Sequence, residues 1–183
     1  MNLVSTGLPK LVVTGTCYEY GIASGALTES EHTTPVTPYG IAKDRLRRSI
    51  AGMKYDFEFD FKWARIFYPY GDGQAETAVY SQIRSAIAKG EKYFKIGSGK
   101  QKLDFVAVET VASVLIALVT RDSEFCLVNI GSGEPQTVFE FVQRQVNSLN
   151  VELEPLVGAI PDREYESPAF WADVSLLNSL NIF

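Results

Sequence analysis

The sequence predicts an α/β fold built on a parallel sheet, and three observations predict it. Short apolar runs bounded by glycine or charge alternate with segments of helical period. One such run, Lys10-Leu11-Val12-Val13-Thr14, ends at Gly15-Thr16, and ligands of open α/β sheets bind at such carboxyl ends of strands. The next helical segment carries Tyr39 and Lys43 four residues apart, which puts a phenol and an ammonium on one face, one turn apart.

The elements follow in order. Pro38 suits an early helical position, so a helix is expected near 38–53 with Tyr39, Lys43, Leu46, Ile50 and Met53 as its inward stripe. Asp44, Arg45, Arg47 and Arg48 then point elsewhere, and Arg45-Leu46-Arg47-Arg48 reads as a solvated face. The alternation from Phe57 to Trp63, leading into Ala64-Arg65-Ile66, predicts a strand. Val79, Ile83, Ala86 and Ile87 form a helical stripe stopped by Lys89-Gly90. Tyr93 to Ile96 and Leu103 to Phe105 read as short strands. Val108 to Val119 is apolar on nearly every side, which predicts a helix buried between layers, and Phe125 to Ile130 a buried strand. Thr137-Val138-Phe139-Glu140 is a capping box opening a helix with Phe141, Val142, Val146 and Leu149 inward, and Asp173 caps a last short helix.

The chemistry lies in three side chains. A lysine beside a phenol disfavours the neutral phenol and draws its pKa down from about 10, towards proton exchange at neutral pH. Thr16, at its strand end, supplies a further hydroxyl for a substrate oxygen. The same residues have a structural reading, in which Tyr39 is core, Lys43 snorkels over it and Thr16 caps a turn.

The flanking segments separate these readings. Leu11-Val12-Val13-Thr14-Gly15-Thr16-Cys17-Tyr18-Glu19-Tyr20-Gly21, Thr37-Pro38-Tyr39-Gly40-Ile41-Ala42-Lys43 and Trp63-Ala64-Arg65-Ile66-Phe67-Tyr68-Pro69-Tyr70-Gly71 are followed by Asp104-Phe105-Val106-Ala107-Val108-Glu109-Thr110-Val111-Ala112, Asn129-Ile130-Gly131-Ser132-Gly133-Glu134 and Phe170-Trp171-Ala172-Asp173. In order and spacing the chain resembles the extended short-chain dehydrogenase/reductase family, the NAD(P)-dependent nucleotide-sugar epimerases, dehydratases and reductases. The resemblance implies a truncated Rossmann-like parallel sheet with a small α+β substrate-binding lobe. Residues 1–72 would carry the Thr/Tyr/Lys site, and 73–183 mainly the nucleotide-sugar lobe interleaved with late Rossmann elements.

By the same resemblance Tyr39 exchanges the proton, Lys43 binds the nicotinamide ribose and tunes the phenol, and Thr16 holds the reacting oxygen. Lys43, Tyr39 and Tyr68 fall on the NAD or NADP side, and Thr16, Cys17, Tyr18 and Lys102 on the nucleotide-sugar side. Three departures qualify this. Dehydrating members carry Asp-Glu directly after the threonine, and Cys17-Tyr18 offers no such pair. The wording of the Thr16 loop and Phe67-Tyr68 is closest to the 4-keto-6-deoxyhexose reductases of dTDP- or CDP-linked sugars, and an epimerase of a nucleotide-linked (dTDP, CDP or UDP) sugar is the runner-up, since it needs the same three residues. Where the family has an arginine near the pyrophosphate, Leu103 stands, and adjacent Lys102 offers a point charge in place of a bidentate fork. The opening Gly-x-x-Gly-x-x-Gly turn of the family, which receives the cofactor pyrophosphate, has no match, and Gly97-Ser98-Gly99-Lys100 and Gly131-Ser132-Gly133 read as turns.

Composition bounds the alternatives. With 183 residues, 46% hydrophobic and a net charge of −5, the chain reads as one globular domain with a small lobe and offers no bulk attraction for nucleic acid. Isolated Cys17 and Cys126, a single histidine (His32), no signal peptide and no apolar run of ~18 residues point to a cytoplasmic protein without a disulfide, metal cluster or membrane span. An interior strand left as a sheet edge predicts a homo-oligomer or a second chain that completes the sheet. Two function classes follow: an NAD(P)-dependent oxidoreductase or epimerase of a nucleotide-linked sugar, or an inactive remnant or interaction module.

Overall fold

The computed structural model describes residues 7, 9–122, 125–162 and 167–182. The chain runs β1 (Lys10–Thr16), a single 3-10 turn (Cys17–Tyr20), β2 (Gly25–Leu27), α1 (Pro38–Met53), β3 (Asp60–Ile66), β4 (Tyr68–Tyr70), α2 (Val79–Ala88), β5 (Tyr93–Lys95), β6 (Lys102–Leu103), β7 (Phe105–Ala107), α3 (Val108–Thr120), β8 (Leu127–Ile130), β9 (Gln136–Thr137), α4 (Val138–Ser148), β10 (Glu154–Leu156), β11 (Ala169–Ala172) and α5 (Ser175–Ser179).

Parallel pairing dominates, as the sequence predicts. β1, β3 and β8 form a three-stranded parallel sheet in which Thr16 stands opposite Ile66. A second sheet, ordered β2-β11-β6-β9, is parallel apart from its last pair. Two short parallel pairs, β4 with β7 and β5 with β10, complete the strands. No described helix is long and apolar enough to cross a membrane.

The largest buried cluster joins α2, α4 and the short sheets, with Phe105 and Phe141 stacked at 3.8 Å between centroids. The capping box at Thr137 forms as expected: Glu140 N donates to Thr137 Oγ1 at 3.0 Å, and Thr137 N to Glu140 Oε2 at 2.7 Å. Asp173 accepts from Ser175 N at 2.9 Å, capping α5 from one residue before its N-cap.

Four expectations change. Of the expected inward stripe of α1, Ile50 and Met53 pack against Phe59, Phe61 and Trp63 and Lys43 is half-buried, but Tyr39 is 53% and Leu46 44% exposed, and Gly40 and Asp44 are buried with Arg47 half-buried beside them. Gly40 is seated so closely against the Tyr18 carbonyl oxygen that a Cβ would be driven onto it, which fixes the first turn of the helix with Gly40 inward and Tyr39 beside it outward. The helix α3 is covered on one side only, so Ile116 and Val119 are exposed. Lys62, a polar position of the expected alternation, is buried because its Nζ donates to Phe125 O at 2.8 Å and pairs with Asp60 at 3.0 Å. Leu149, expected inward on α4, is the C-cap of that helix and is exposed.

The Arg45 to Arg48 cluster is therefore not a uniform solvated face. Arg47 and Arg48 pair with Asp44 at 2.8 and 2.7 Å, and Thr33 Oγ1 donates to the same carboxylate at 3.0 Å. This latch ties the 28–37 loop to α1. Burial raises the Asp44 pKa, but the bonds from Arg47, Thr33 and Arg48 outweigh it and hold the carboxyl below its ordinary value. A carboxyl with a depressed folded-state pKa stabilises the fold above about pH 4 and loses that contribution as the pH falls through its folded value. We expect Asp44→Asn to lower Tm at neutral pH and to flatten the fall of Tm below about pH 4, as read by calorimetry across pH. An unchanged acid limb would show that the latch carries no such contribution.

Candidate active site

Thr16 closes β1 and opens the 3-10 turn, and it is 6% exposed. Its Oγ1 accepts from Tyr18 N at 3.3 Å, so the turn-capping role of the structural reading is met. The same hydroxyl also hydrogen-bonds the Tyr39 phenol, so it is shared between the turn and the phenol.

Tyr39 stands in the first turn of α1, which Thr37 caps by accepting from Gly40 N at 3.1 Å. Its ring meets Tyr18 edge-on at 6.4 Å. Lys43, one turn on, has Nζ 5.9 Å from the Tyr39 ring centroid and donates to Thr14 O at 2.8 Å. One helix turn and one strand end thus bring the hydroxyl, the phenol and the ammonium together.

The phenol pKa moves opposite to the expected direction. Partial burial pushes it up, Cys17 and Glu19 add to this, and a hydrogen bond with Thr16 opposes them. Lys43 spends one N–H on the Thr14 carbonyl, which draws its charge towards the backbone. The phenol is therefore a neutral proton donor at rest.

The remaining sequence candidates fall around this group. Tyr18 bridges Tyr39 to Tyr68, whose ring lies 5.9 Å away and packs on Phe105 and Phe170. Cys17 is buried, and burial drives its thiol far above the usual range, which leaves it un-ionised. Lys102 is exposed on β6, on the opposite strand face from buried Leu103, and its charge helps to hold Glu140 low after two bonds from Thr137. A cavity of about 330 Å³ lined by Tyr70, Phe105, Thr110, Ser132 and Arg144 contains none of the three central residues.

Two buried carboxylates beside the site had no role assigned from the sequence. Glu19 is fully buried and Asp104 is fully buried. Glu19 was legible in part, since Thr16-Cys17-Tyr18-Glu19 is itself a capping-box spacing.

The parallel sheet with its helices is Rossmann-like, and it sets a strand-end threonine beside a helix-borne tyrosine and lysine. The chain belongs to the NAD dependent epimerase/dehydratase family, whose model matches residues 2–131. It is 27% identical over 176 residues to dTDP-6-deoxy-L-talose 4-dehydrogenase (NAD(+)) of Aggregatibacter actinomycetemcomitans, covering 93% of this chain and 63% of that protein. Among solved structures, MoeE5 in complex with UDP-glucuronic acid and NAD superposes with a TM-score of 0.85 at 28% identity, covering 97% of this chain and 60% of the other. The UDP-N-acetylglucosamine 4-epimerase from Methanobrevibacter ruminantium M1 has the same fold, with a TM-score of 0.86 at 23% identity and coverage of 96% and 57%. The chain thus spans about three-fifths of the length of these relatives.

Residues for a nicotinamide ribose fit the geometry. Lys43 Nζ has three N–H donors and spends one on Thr14 O, while the exposed Tyr39 phenol stands beside it. A ribose diol would use the remaining donors.

Proposed function

We propose that this chain carries the proton-handling site of an NAD(P)-dependent enzyme acting at C4 of a nucleotide-linked sugar, as a reductase of a 4-keto-6-deoxyhexose. The observation that carries this reading is the convergence of Thr16, Tyr39 and Lys43. The similarity to a dTDP-6-deoxy-L-talose 4-dehydrogenase supports the sugar class. The nicotinamide supplies or accepts the hydride. The chain's residues do the rest: Thr16 hydrogen-bonds the C4 oxygen through its hydroxyl, and Tyr39 alone transfers a proton to that oxygen as negative charge develops. Lys43, 5.9 Å from the ring, then stabilises the phenolate. A C4 alcohol is oxidised by the reverse sequence, which is also the half-reaction an epimerase needs.

The test is oxidation of NADH or NADPH by the chain, alone or supplemented with the cofactor-binding half of a relative, with a dTDP-linked 4-keto-6-deoxyhexose as substrate. We expect oxidation dependent on the keto sugar; inertness in both arms would overturn the reading. One observation favours an interaction module instead: among the described residues β1 has β3 on one side and no strand on the other. Sugar-nucleotide binding without turnover would select that reading.

A further inference from the structure

Glu19 is an unusual capping residue. Its Oε1 accepts from Thr16 N at 2.8 Å, the reciprocal half of a capping box. The second capping box in the fold, Thr137 with Glu140, does the same local work with an exposed glutamate. Capping alone therefore gives no reason to bury the carboxylate of Glu19.

The reason lies on the neighbouring strand. Trp63 Nε1 donates to both Glu19 oxygens, at 3.0 and 3.1 Å, and Arg65 Nε donates to Oε2 at 3.0 Å. Trp63 and Arg65 are residues i and i+2 of β3, so they share one face of the central sheet. Arg47 of α1, three residues beyond Asp44, brings its Nε to 3.8 Å of Oε2. Arg65 in turn lies over the Tyr20 ring at 4.3 Å, and Tyr20 donates to Asn129 Oδ1 at 2.8 Å. One carboxylate thus joins the Thr16 backbone to β3 and to the helix that carries Tyr39 and Lys43. Gly15 beside it leaves no room for adjustment, since a Cβ there would be driven into Trp63 Nε1 and Glu19 Oε1.

We propose that Glu19 is a positioning residue that fixes the Thr16 hydroxyl relative to the Tyr39 phenol by keying the Thr16 turn to β3 and α1. It touches no substrate and acts on the reaction through Thr16. The proposal rests on the reductase reading for its catalytic consequence, but the positioning itself can be read without turnover.

The first measurement is made on the full chain by NMR, using three-bond couplings to the Thr16 γ-methyl carbon, which report its χ1 rotamer. Wild type is expected to show one rotamer. Glu19→Gln keeps one acceptor for Thr16 N–H but turns amide hydrogens towards the Trp63 and Arg65 donors, so it should give partly averaged couplings, and Glu19→Ala fully averaged ones. The second measurement is keto-sugar reduction. Glu19→Ala should lower kcat by about ten- to a hundredfold with KM within about twofold, and Glu19→Gln should fall between wild type and Glu19→Ala. In a Thr16→Ala background Glu19→Ala should have no further effect, because the group it positions is gone.

A folded Glu19→Ala protein with a single Thr16 rotamer would overturn the proposal, as would an undiminished Glu19→Ala loss in the Thr16→Ala background. If Glu19→Ala does not fold, Glu19→Gln decides: partly averaged couplings in a folded protein support the role, and a single wild-type rotamer overturns it. Absence of turnover in wild type would count against the reductase reading and leave the rotamer result to judge Glu19.

Discussion

Tyr39→Phe is expected to reduce kcat for keto-sugar reduction by about a thousandfold while KM for the sugar nucleotide stays within about twofold. A thousandfold loss corresponds to roughly 4 kcal/mol of transition-state stabilisation, within reach of one positioned general acid. The substitution removes the oxygen and keeps the ring, so the edge contact with Tyr18 and the proximity of Lys43 survive. Because Tyr39 is 53% exposed, the fold should be unaffected to within about 0.5 kcal/mol. Thr16→Val should cost less, since water and the phenol still reach the carbonyl oxygen. A Tyr39→Phe protein with near wild-type turnover would return Tyr39, Lys43 and Thr16 to purely structural roles.

The sequence made legible which elements carry Thr16, Tyr39 and Lys43, because each signal is local. Tyr39 and Lys43 lie on one helix, and Thr16 sits at the end of an apolar run, so periodicity alone places each of them. The burial of Gly40 and Asp44 on α1 was not legible. It depends on Gly40 meeting the Tyr18 carbonyl and on Asp44 collecting Arg47, Arg48 and Thr33, and these contacts join segments that sequence spacing does not relate. The direction of the Tyr39 shift was missed for the same reason. A lysine four residues away is visible in a sequence, but the Thr14 carbonyl that holds its ammonium and the buried carboxylate of Glu19 come from other elements. For α3 the even apolar composition of Val108 to Val119 signalled burial, although only one face is covered and Ile116 is 64% exposed.

Asp104 shows how far a single buried charge can govern the fold. The Leu103 to Phe105 run reads as one strand, yet the structure breaks it into β6 and β7 at Asp104. The carboxylate accepts from Ser132 N and Ser132 Oγ, both at 2.6 Å, from Gly133 N at 3.1 Å and from Ala172 N at 3.0 Å. It therefore fastens the turn after β8 and the end of β11 to the β6/β7 junction, and Gly131 packs so closely that a Cβ would strike it. Removing the acceptor leaves three buried or half-buried backbone N–H groups without their partner, the costly side of the hydrogen-bond asymmetry. We expect Asp104→Ala to destabilise the protein by about 3–5 kcal/mol, which for a domain of this size lowers Tm by roughly 10 °C or more. Asp104→Asn should fall between wild type and Asp104→Ala, because its single carbonyl oxygen satisfies part of the cradle while its amide hydrogens face donors. A calorimetric Tm for Asp104→Ala within about 2 °C of wild type would mean that the three segments are held by apolar packing, with Leu103, Phe105 and Ala172 sufficient to seat them without the charge.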